Sequence, residues 1–213
     1  MQKSNLYSKL LKSPDDAPVF ISDKLEVDFI PFAYSLGLFP WTSNPVTWWC
    51  PSPRMILLPD QIHIQKSIKK ALRNYKIKLD QNFCDLIKLC ALRKKTWISK
   101  EFIAIYTQLF EKNIAHSVEV YENDELIGGL YGLIIGKVFF GESMISLKKD
   151  ASKTALIKLC EILKPYGFII DCQVPNEHLK FMGAKEIYKK DFLKILEQKV
   201  TLESGFENFK NLL

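Results

Sequence analysis

The stretch from Ala115 to Met144, AHSVEVYENDELIGGLYGLIIGKVFFGESM, decides the fold. It contains three runs rich in Val, Ile, Tyr and Phe, broken at Asn123-Asp124 and Gly136-Lys137. β-branched and aromatic residues fit a pleated, half-buried surface, and Asn, Asp and Gly accept the left-handed backbone of a tight hairpin. The spacing predicts an antiparallel meander with strands near 115–121, 126–135 and 137–145. Five of the nine glycines, Gly128, Gly129, Gly132, Gly136 and Gly141, crowd into it. Glycine inside a strand marks a bulge or a close backbone approach.

Downstream of the meander, residues 152–164 read as a helix, with Asp150 or Ser152 as N-cap and Gly167 beyond its end. A buried strand follows at 168–173, then a short helix at 176–182 and a last strand at 185–193. Upstream, helices are expected near 61–74, 81–91 and 99–112, with Asn113 in a left-handed cap. The order of meander, helix, strand, helix, strand gives an α/β (α+β) class: a mixed sheet with flanking helices over residues 55–213. Eight of the ten prolines precede residue 60, and they are mixed with Trp41, Trp48 and Trp49. Residues 1–54 therefore read as a small, irregular, aromatic- and proline-rich lobe, because disordered linkers avoid such aromatics.

The composition, 47% hydrophobic and 25% charged, is that of an ordinary globular chain and excludes a disordered one. No apolar run approaches the roughly 20 residues of a membrane span, and MQKSNLYSKLLKSPDD lacks the apolar stretch of a secretory signal. A cytoplasmic protein with no membrane contact is expected. The five cysteines are odd in number and irregular in spacing, and the three histidines are scattered. Neither a disulfide framework nor a metal site is expected.

The net charge of +6 is unevenly spread. Residues 51–100 hold twelve Lys/Arg against three Asp/Glu, whereas residues 101–150 hold four against eight. A local cationic block points to a polyanion. Within it, Ile64, Ile68 and Leu72 share one face of the expected helix, and Lys66, Lys69, Lys70 and Arg73 share the opposite face. Four cations on one face match a phosphate backbone, which positions a nucleic acid without reading its sequence.

Three polar residues stand out in strands. Asp171 and Gln173 are two apart and share a face, with Ile170 and Cys172 as neighbours. A carboxylate there is costly unless hydrogen-bonded. Glu142, in VFFGESM, lies on the side of Phe140 and Met144 under strict alternation, or alongside Phe139 if Gly141 marks a bulge. Either way an acid is embedded among aromatic and sulfur side chains. There is no G-x-S-x-G elbow, P-loop or H-E-x-x-H.

These motifs, taken in order, resemble the leucyl/phenylalanyl-tRNA–protein transferases. The resemblance covers residues 32–193 and runs through AYSLGLFPW (33–41), WWCPSPR (48–54), IHIQKSIKKALR (62–73) and TWI (96–98). It continues through AHSVEVY (115–121), GGLYG (128–132), FFGESM (139–144), ASKTAL (151–156), IDCQVPNEHL (170–179) and MGAKEI (182–187). The segment VFISDKLEVDFIPFAY departs from the pattern, because it lacks the family's Gly-rich lead-in. Ser52 stands where the family often has Asp.

The resemblance implies a GNAT-like fold, the mixed sheet of N-acyltransferases, with tRNA in place of coenzyme A. The segment ahead of the helix at 152, LKKDASK, has no glycine for a pyrophosphate loop. That disfavours the alternative of an acyl-CoA-dependent enzyme. A second alternative, a non-enzymatic RNA-binding protein, leaves Asp171, Gln173 and Glu142 without a role.

The implied activity moves Leu, Phe or Met from aminoacyl-tRNA to the α-amino group of proteins beginning with Arg or Lys, marking them for N-degron degradation. The implied enzyme is a monomer with no cofactor. By motif, Asp171 and Gln173 sit at the reaction centre, and Glu142, Phe139, Leu130, Leu159 and Ile170 form the aminoacyl pocket. Trp41, Trp97 and Tyr106 lie about the terminal adenosine and substrates, and Lys66, Lys69, Lys70 and Arg73 hold the tRNA. Gln173 is expected to orient the amine, with Asp171 fixing its amide or attracting the incoming cation; proton acceptance by Gln173, polarised by Asp171, is the alternative.

Overall fold

The computed structural model describes residues 9–213. Residues 1–8, the first part of the N-terminal lobe and of the stretch read for a signal, lie outside them. The meander is present as β6 (Ala115–Glu122), β7 (Glu125–Ile135) and β8 (Val138–Ser146). Asn123 and Asp124 turn the first hairpin at φ 52° and 63°, the left-handed pair of a tight turn.

Four further strands extend the meander: β4 (Arg54–Leu57), β5 (Lys76–Leu79), β9 (Ile169–Gln173) and β10 (Lys185–Ile187). The seven lie in the order β10-β4-β9-β8-β7-β6-β5. Every neighbouring pair is antiparallel except β8 and β9, which run parallel. A smaller sheet, β1 (Phe20–Ser22), β3 (Val46–Trp49) and β2 (Phe39–Ser43), belongs to the N-terminal segment, with the short helix α1 (Ile30–Ser35).

Helices cover both faces of the large sheet. On one face α3 (Phe83–Ala91), α4 (Lys100–Glu111) and α7 (Lys189–Lys199) join Tyr34, Trp48, Tyr131 and Phe140 in one core. On the other, α5 (Ala151–Leu163) packs on Met55, Val118, Phe139 and Ile170. The first core runs without a break from the small sheet into the large one. Ser99 caps α4 by accepting the Phe102 N–H at 3.4 Å, and Asn113 ends it at φ 56°. Asn176 caps α6 (Glu177–Phe181).

Three expectations are corrected. The helix predicted over 61–74 is a 3-10 turn at Lys66–Ile68 followed by α2 (Lys69–Asn74). Ile64 therefore falls outside any helix and is exposed rather than core-facing. The strand predicted over 185–193 stops at Ile187, and the chain re-enters a helix, α7, whose Phe192, Leu193 and Leu196 fill the first core. Their spacing of three and four is helical, and extending the strand past Tyr188 overrode it. At α5, Asp150 occupies the N-cap position at φ 64° but makes no cap bond; its carboxylate meets Lys153 at 3.0 Å instead.

Two features of the sheet build the site. In the first, the β7–β8 register jumps from Tyr131↔Ser143 to Gly132↔Gly141, leaving Glu142 as the extra residue of a bulge. Glu142 stays on the Phe140 side, while Met144 passes to the opposite core. Gly132 lets the strands approach at the bulge, because a methyl group there would overlap the backbone carbonyl oxygen of Phe140.

The second feature ties β4 to β9. Arg54 and Asp171 are both fully buried, with Arg54 Nε donating to Oδ1 at 2.8 Å and Nη2 to Oδ2 at 2.6 Å. The guanidinium lies between the rings of Phe39 and Phe192, 4.9 and 4.6 Å from their centroids. It thereby joins the small sheet, the large sheet and α7. Arg54, counted in the cationic block, is thus spent internally.

Removing one partner of a buried pair costs about 3–5 kcal/mol, because the other charge is left uncompensated. Urea unfolding of Arg54→Met should show a loss of that size with an unchanged slope. The double variant Arg54→Met/Asp171→Leu should recover part of it. A single variant as stable as the wild type would show that the pair ties nothing together.

Candidate active site

The parallel pairing of β8 with β9 covers only Val138–Phe140 against Ile169–Asp171, although both strands run on. A cavity of about 410 Å³ opens in the fork beyond it. Phe139, Leu130, Leu159 and Ile170 give it apolar walls, and Glu142 and Gln173 reach it from the two strands. Trp41 and Trp97 also line it. The small sheet is fastened there by a 2.8 Å contact between the hydroxyls of Ser43, on β2, and Ser99, the cap of α4. That contact places the two tryptophans about the same opening.

Two of the expected residues do not reach the cavity. Asp171 is fully buried behind Gln173, and Arg54 offsets its charge. It holds Gln173 through the backbone: the Gln173 N–H donates to Asp171 Oδ1 at 2.9 Å. This bond accompanies φ 62° at Gln173, a left-handed conformation that costs a non-glycine residue about 1–3 kcal/mol. The expectation that Asp171 fixes the amide of Gln173 or draws in a cation is corrected accordingly. The amide is fixed by Glu142, whose Oε1 accepts from Gln173 Nε2 at 2.9 Å.

Tyr106 is likewise buried, beneath Glu142, and does not line the cavity. Its hydroxyl lies 2.8 Å from Glu142 Oε2, and that of Tyr34 lies 2.8 Å from Oε1. The two tyrosine oxygens are 2.7 Å apart. Burial pushes the Glu142 carboxyl up to about 7, against the opposing hydrogen bonds of Tyr106 and Tyr34. Burial also holds Tyr34, Tyr106 and Tyr131 well above the usual phenol range.

Lys66, Lys69, Lys70 and Arg73 are all exposed, on the segment that packs beside α5 and away from the cavity lining. Closer in, Arg93 lines the cavity, donating from Nη2 to Ser143 Oγ at 2.8 Å and from Nε to the Cys90 carbonyl at 2.9 Å. Lys95 and His178 also line it. Sequence reasoning gave no site role to Arg54, Tyr34 or Arg93. The first two stand inside quoted motifs, WWCPSPR and AYSLGLFPW, and that was the only signal for them.

Among the described residues no cluster of His, Cys, Asp or Glu is built to hold a metal ion, and no helix is long and apolar enough to cross a membrane. The arrangement offers a rigid amide, apolar walls, aromatic faces and cations in one opening. It contains no side-chain nucleophile with a partner base.

Comparison with known proteins gives the family. The family described as leucyl/phenylalanyl-tRNA protein transferase matches residues 56–197, and its N-terminal domain matches residues 23–52. The chain is 84% identical to a leucyl/phenylalanyl-tRNA–protein transferase of Campylobacter lari over the full length of both. It is 64% identical to that of Campylobacter jejuni strain RM1221, again over the full length of both. With the Legionella pneumophila strain Corby protein it shares 48% identity over 78% of each chain. Among solved structures, an aminoglycoside acetyltransferase from a soil metagenome aligns over 64% of this chain and 95% of its own, at 13% identity and a TM-score of 0.38. That likeness is too distant to carry an argument. On the family match and these relatives, the chain belongs to the leucyl/phenylalanyl-tRNA–protein transferases.

Proposed function

We propose that this chain moves leucine, phenylalanine or methionine from aminoacyl-tRNA to the α-amino group of proteins that begin with Arg or Lys. In this reading it works as a monomer in the cytoplasm, and its products enter N-degron degradation. The carrying observation is the Gln173 amide at the mouth of an apolar cavity, fixed at its backbone by Asp171 and at its side chain by Glu142.

The reaction is aminolysis of an ester. The amine nitrogen attacks the carbonyl carbon, a C–N bond forms, and the C–O bond to the tRNA 3′ oxygen breaks. The leaving oxygen takes a proton, and the amine gives one up. An α-amino group has a pKa of about 7.7–8.0, so a useful fraction is already neutral near neutral pH. Positioning amine and ester together supplies up to roughly 7–11 kcal/mol of the barrier.

Gln173 is suited to that task. With its Nε2 bound to Glu142, its carbonyl oxygen is the end that accepts a hydrogen bond from the amine. The apolar walls of Leu130, Phe139, Leu159 and Ile170 take the aminoacyl side chain, and Trp41 and Trp97 present faces for the terminal adenine. The surface of Lys66, Lys69, Lys70 and Arg73 holds the tRNA by its phosphates.

Two measurements test this reading. Gln173→Ala removes one well-placed polar contact, which typically costs about 10²–10³ in rate. Single-turnover transfer from leucyl-tRNA to an Arg-initiated peptide should fall by that amount. With aminoacyl-tRNA saturating, its pH profile should still rise through the pKa of the amine. Loss of that rising limb would make Gln173 the proton acceptor instead. Replacing all four surface cations by Ala should weaken binding of every accepted tRNA and flatten its salt dependence. An unchanged salt slope would place the tRNA elsewhere.

A further inference from the structure

The contacts around Glu142 do not add up if it is a carboxylate. Three oxygen pairs lie at hydrogen-bond distance: Tyr34 with Glu142 Oε1 at 2.8 Å, Tyr106 with Oε2 at 2.8 Å, and Tyr34 with Tyr106 at 2.7 Å. Each tyrosine brings one hydroxyl hydrogen. Two hydrogens serve two contacts, so an ionised Glu142 leaves one pair of oxygens facing each other without a proton. Tyr34 and Tyr106 are both fully buried, so the mismatch falls where solvent does not reach their hydroxyls.

A third proton removes the mismatch. Glu142 Oε2–H donates to Tyr106, Tyr106 donates to Tyr34, and Tyr34 donates to Oε1. Oε1 still has a second lone pair for the Gln173 amide, which lies 2.9 Å away. Every donor then has an acceptor, and the three bonds run in one direction around the ring, an arrangement that strengthens each of them.

We propose that Glu142 works as a neutral carboxylic acid, closing a hydrogen-bond ring with Tyr34 and Tyr106, and that this uncharged ring lets one cavity hold an apolar aminoacyl group while fixing Gln173. The proposal rests on the aminoacyl-transfer reading for the identity of the ligand. It makes Glu142 a specificity-determining residue: polar enough to orient the Gln173 amide, yet without a charge that would penalise an apolar side chain or attract a cationic one.

The surroundings favour the acid. Tyr34 on α1, Tyr106 on α4 and Tyr131 on β7 are buried and un-ionised. Asp171 on β9 disfavours a second negative charge, and Arg54 on β4, which favours one, is already bonded to Asp171 at both carboxylate oxygens. Arg93, Lys95 and His178 lie around the cavity, and Arg93 is engaged with Ser143. Burial outweighs the rest and places the ionisation near 7. The ring is therefore closed below about pH 7 and opens above it.

The direct test is infrared difference spectroscopy of the full chain, wild type minus Glu142→Gln. A protonated-acid carbonyl band should be present at about pH 6 and disappear as the pH rises through the ionisation. Its absence at that pH would overturn the proposal. The functional arm uses an amide-linked phenylalanyl-adenosine as probe, titrated by calorimetry against wild type, Glu142→Gln and Glu142→Ala.

Glutamine can rebuild the ring, its amide donating to Tyr106 and its oxygen accepting from Tyr34, so it should bind the probe better than alanine. Relative to Glu142→Gln, the wild type should lose affinity above its ionisation, approaching tenfold per pH unit. A ratio that stays flat with pH, or a glutamine variant no better than alanine, would overturn the role in binding. Should no protein bind the probe while the acid band is intact, the aminoacyl reading falls and takes the pocket role with it. The ring itself would then stand on the spectrum alone.

Discussion

The buried pair of Arg54 and Asp171 is the constraint on which the site depends. Two charges taken out of water cost several kcal/mol each, and close pairing with further contacts offsets that. Here the offset is a two-pronged guanidinium–carboxylate contact, two aromatic rings against the cation, and a backbone N–H on the anion. Apart from the Gln173 N–H, which lies two residues from Asp171 on the same strand, these partners come from separate parts of the chain. Phe39 comes from the small sheet, Phe192 from α7, Arg54 and Asp171 from adjacent central strands, and the N–H from Gln173. The pair cannot form until all of them are assembled, so the geometry of Gln173 is a product of the whole fold.

Much of the scaffold was legible locally. The meander follows from β-branched runs and left-handed turn residues, and the end of α4 follows from Asn113. Such signals act within a few residues, and the sheet obeys them. The strand expected over 185–193 stops short because Ile187 ends one pattern two residues before Lys189 begins another, and only the spacing of Phe192, Leu193 and Leu196 betrays the change. The helix expected at 61–74 is shortened because the backbone is still extended at Ile62 and Gln65, at ψ 126° and 146°. Ile64 fits an apolar stripe only if the helix begins early.

The site was legible in its members and not in its connections. Asp171, Gln173 and Glu142 could be singled out because polar groups in apolar strands demand partners. The partners could not be named from spacing. Arg54 lies 117 positions from Asp171, and Tyr34 lies 108 from Glu142. Charge counting also misled at Arg54. A sum over residues 51–100 treats every cation as surface, but this one is fully buried and bonded. The left-handed backbone of Gln173 carries no compositional signal at all, since glutamine has no preference for it.

The two acids at the fork solve one problem in opposite ways. Asp171 keeps its charge and is paired with a cation; Glu142 gives its charge up and joins a neutral ring. Gln173 stands between them, its backbone N–H on one and its amide on the other. Exchanging the two solutions would not serve. An unpaired charge at Glu142 would sit in the wall of a largely apolar cavity. A neutral Asp171 would leave the Arg54 charge uncompensated behind the site. In the proposed aminoacyl transfer, the amine and ester would meet a residue fixed at both ends, and a reaction that needs chiefly positioning would be given a group that has little freedom to move.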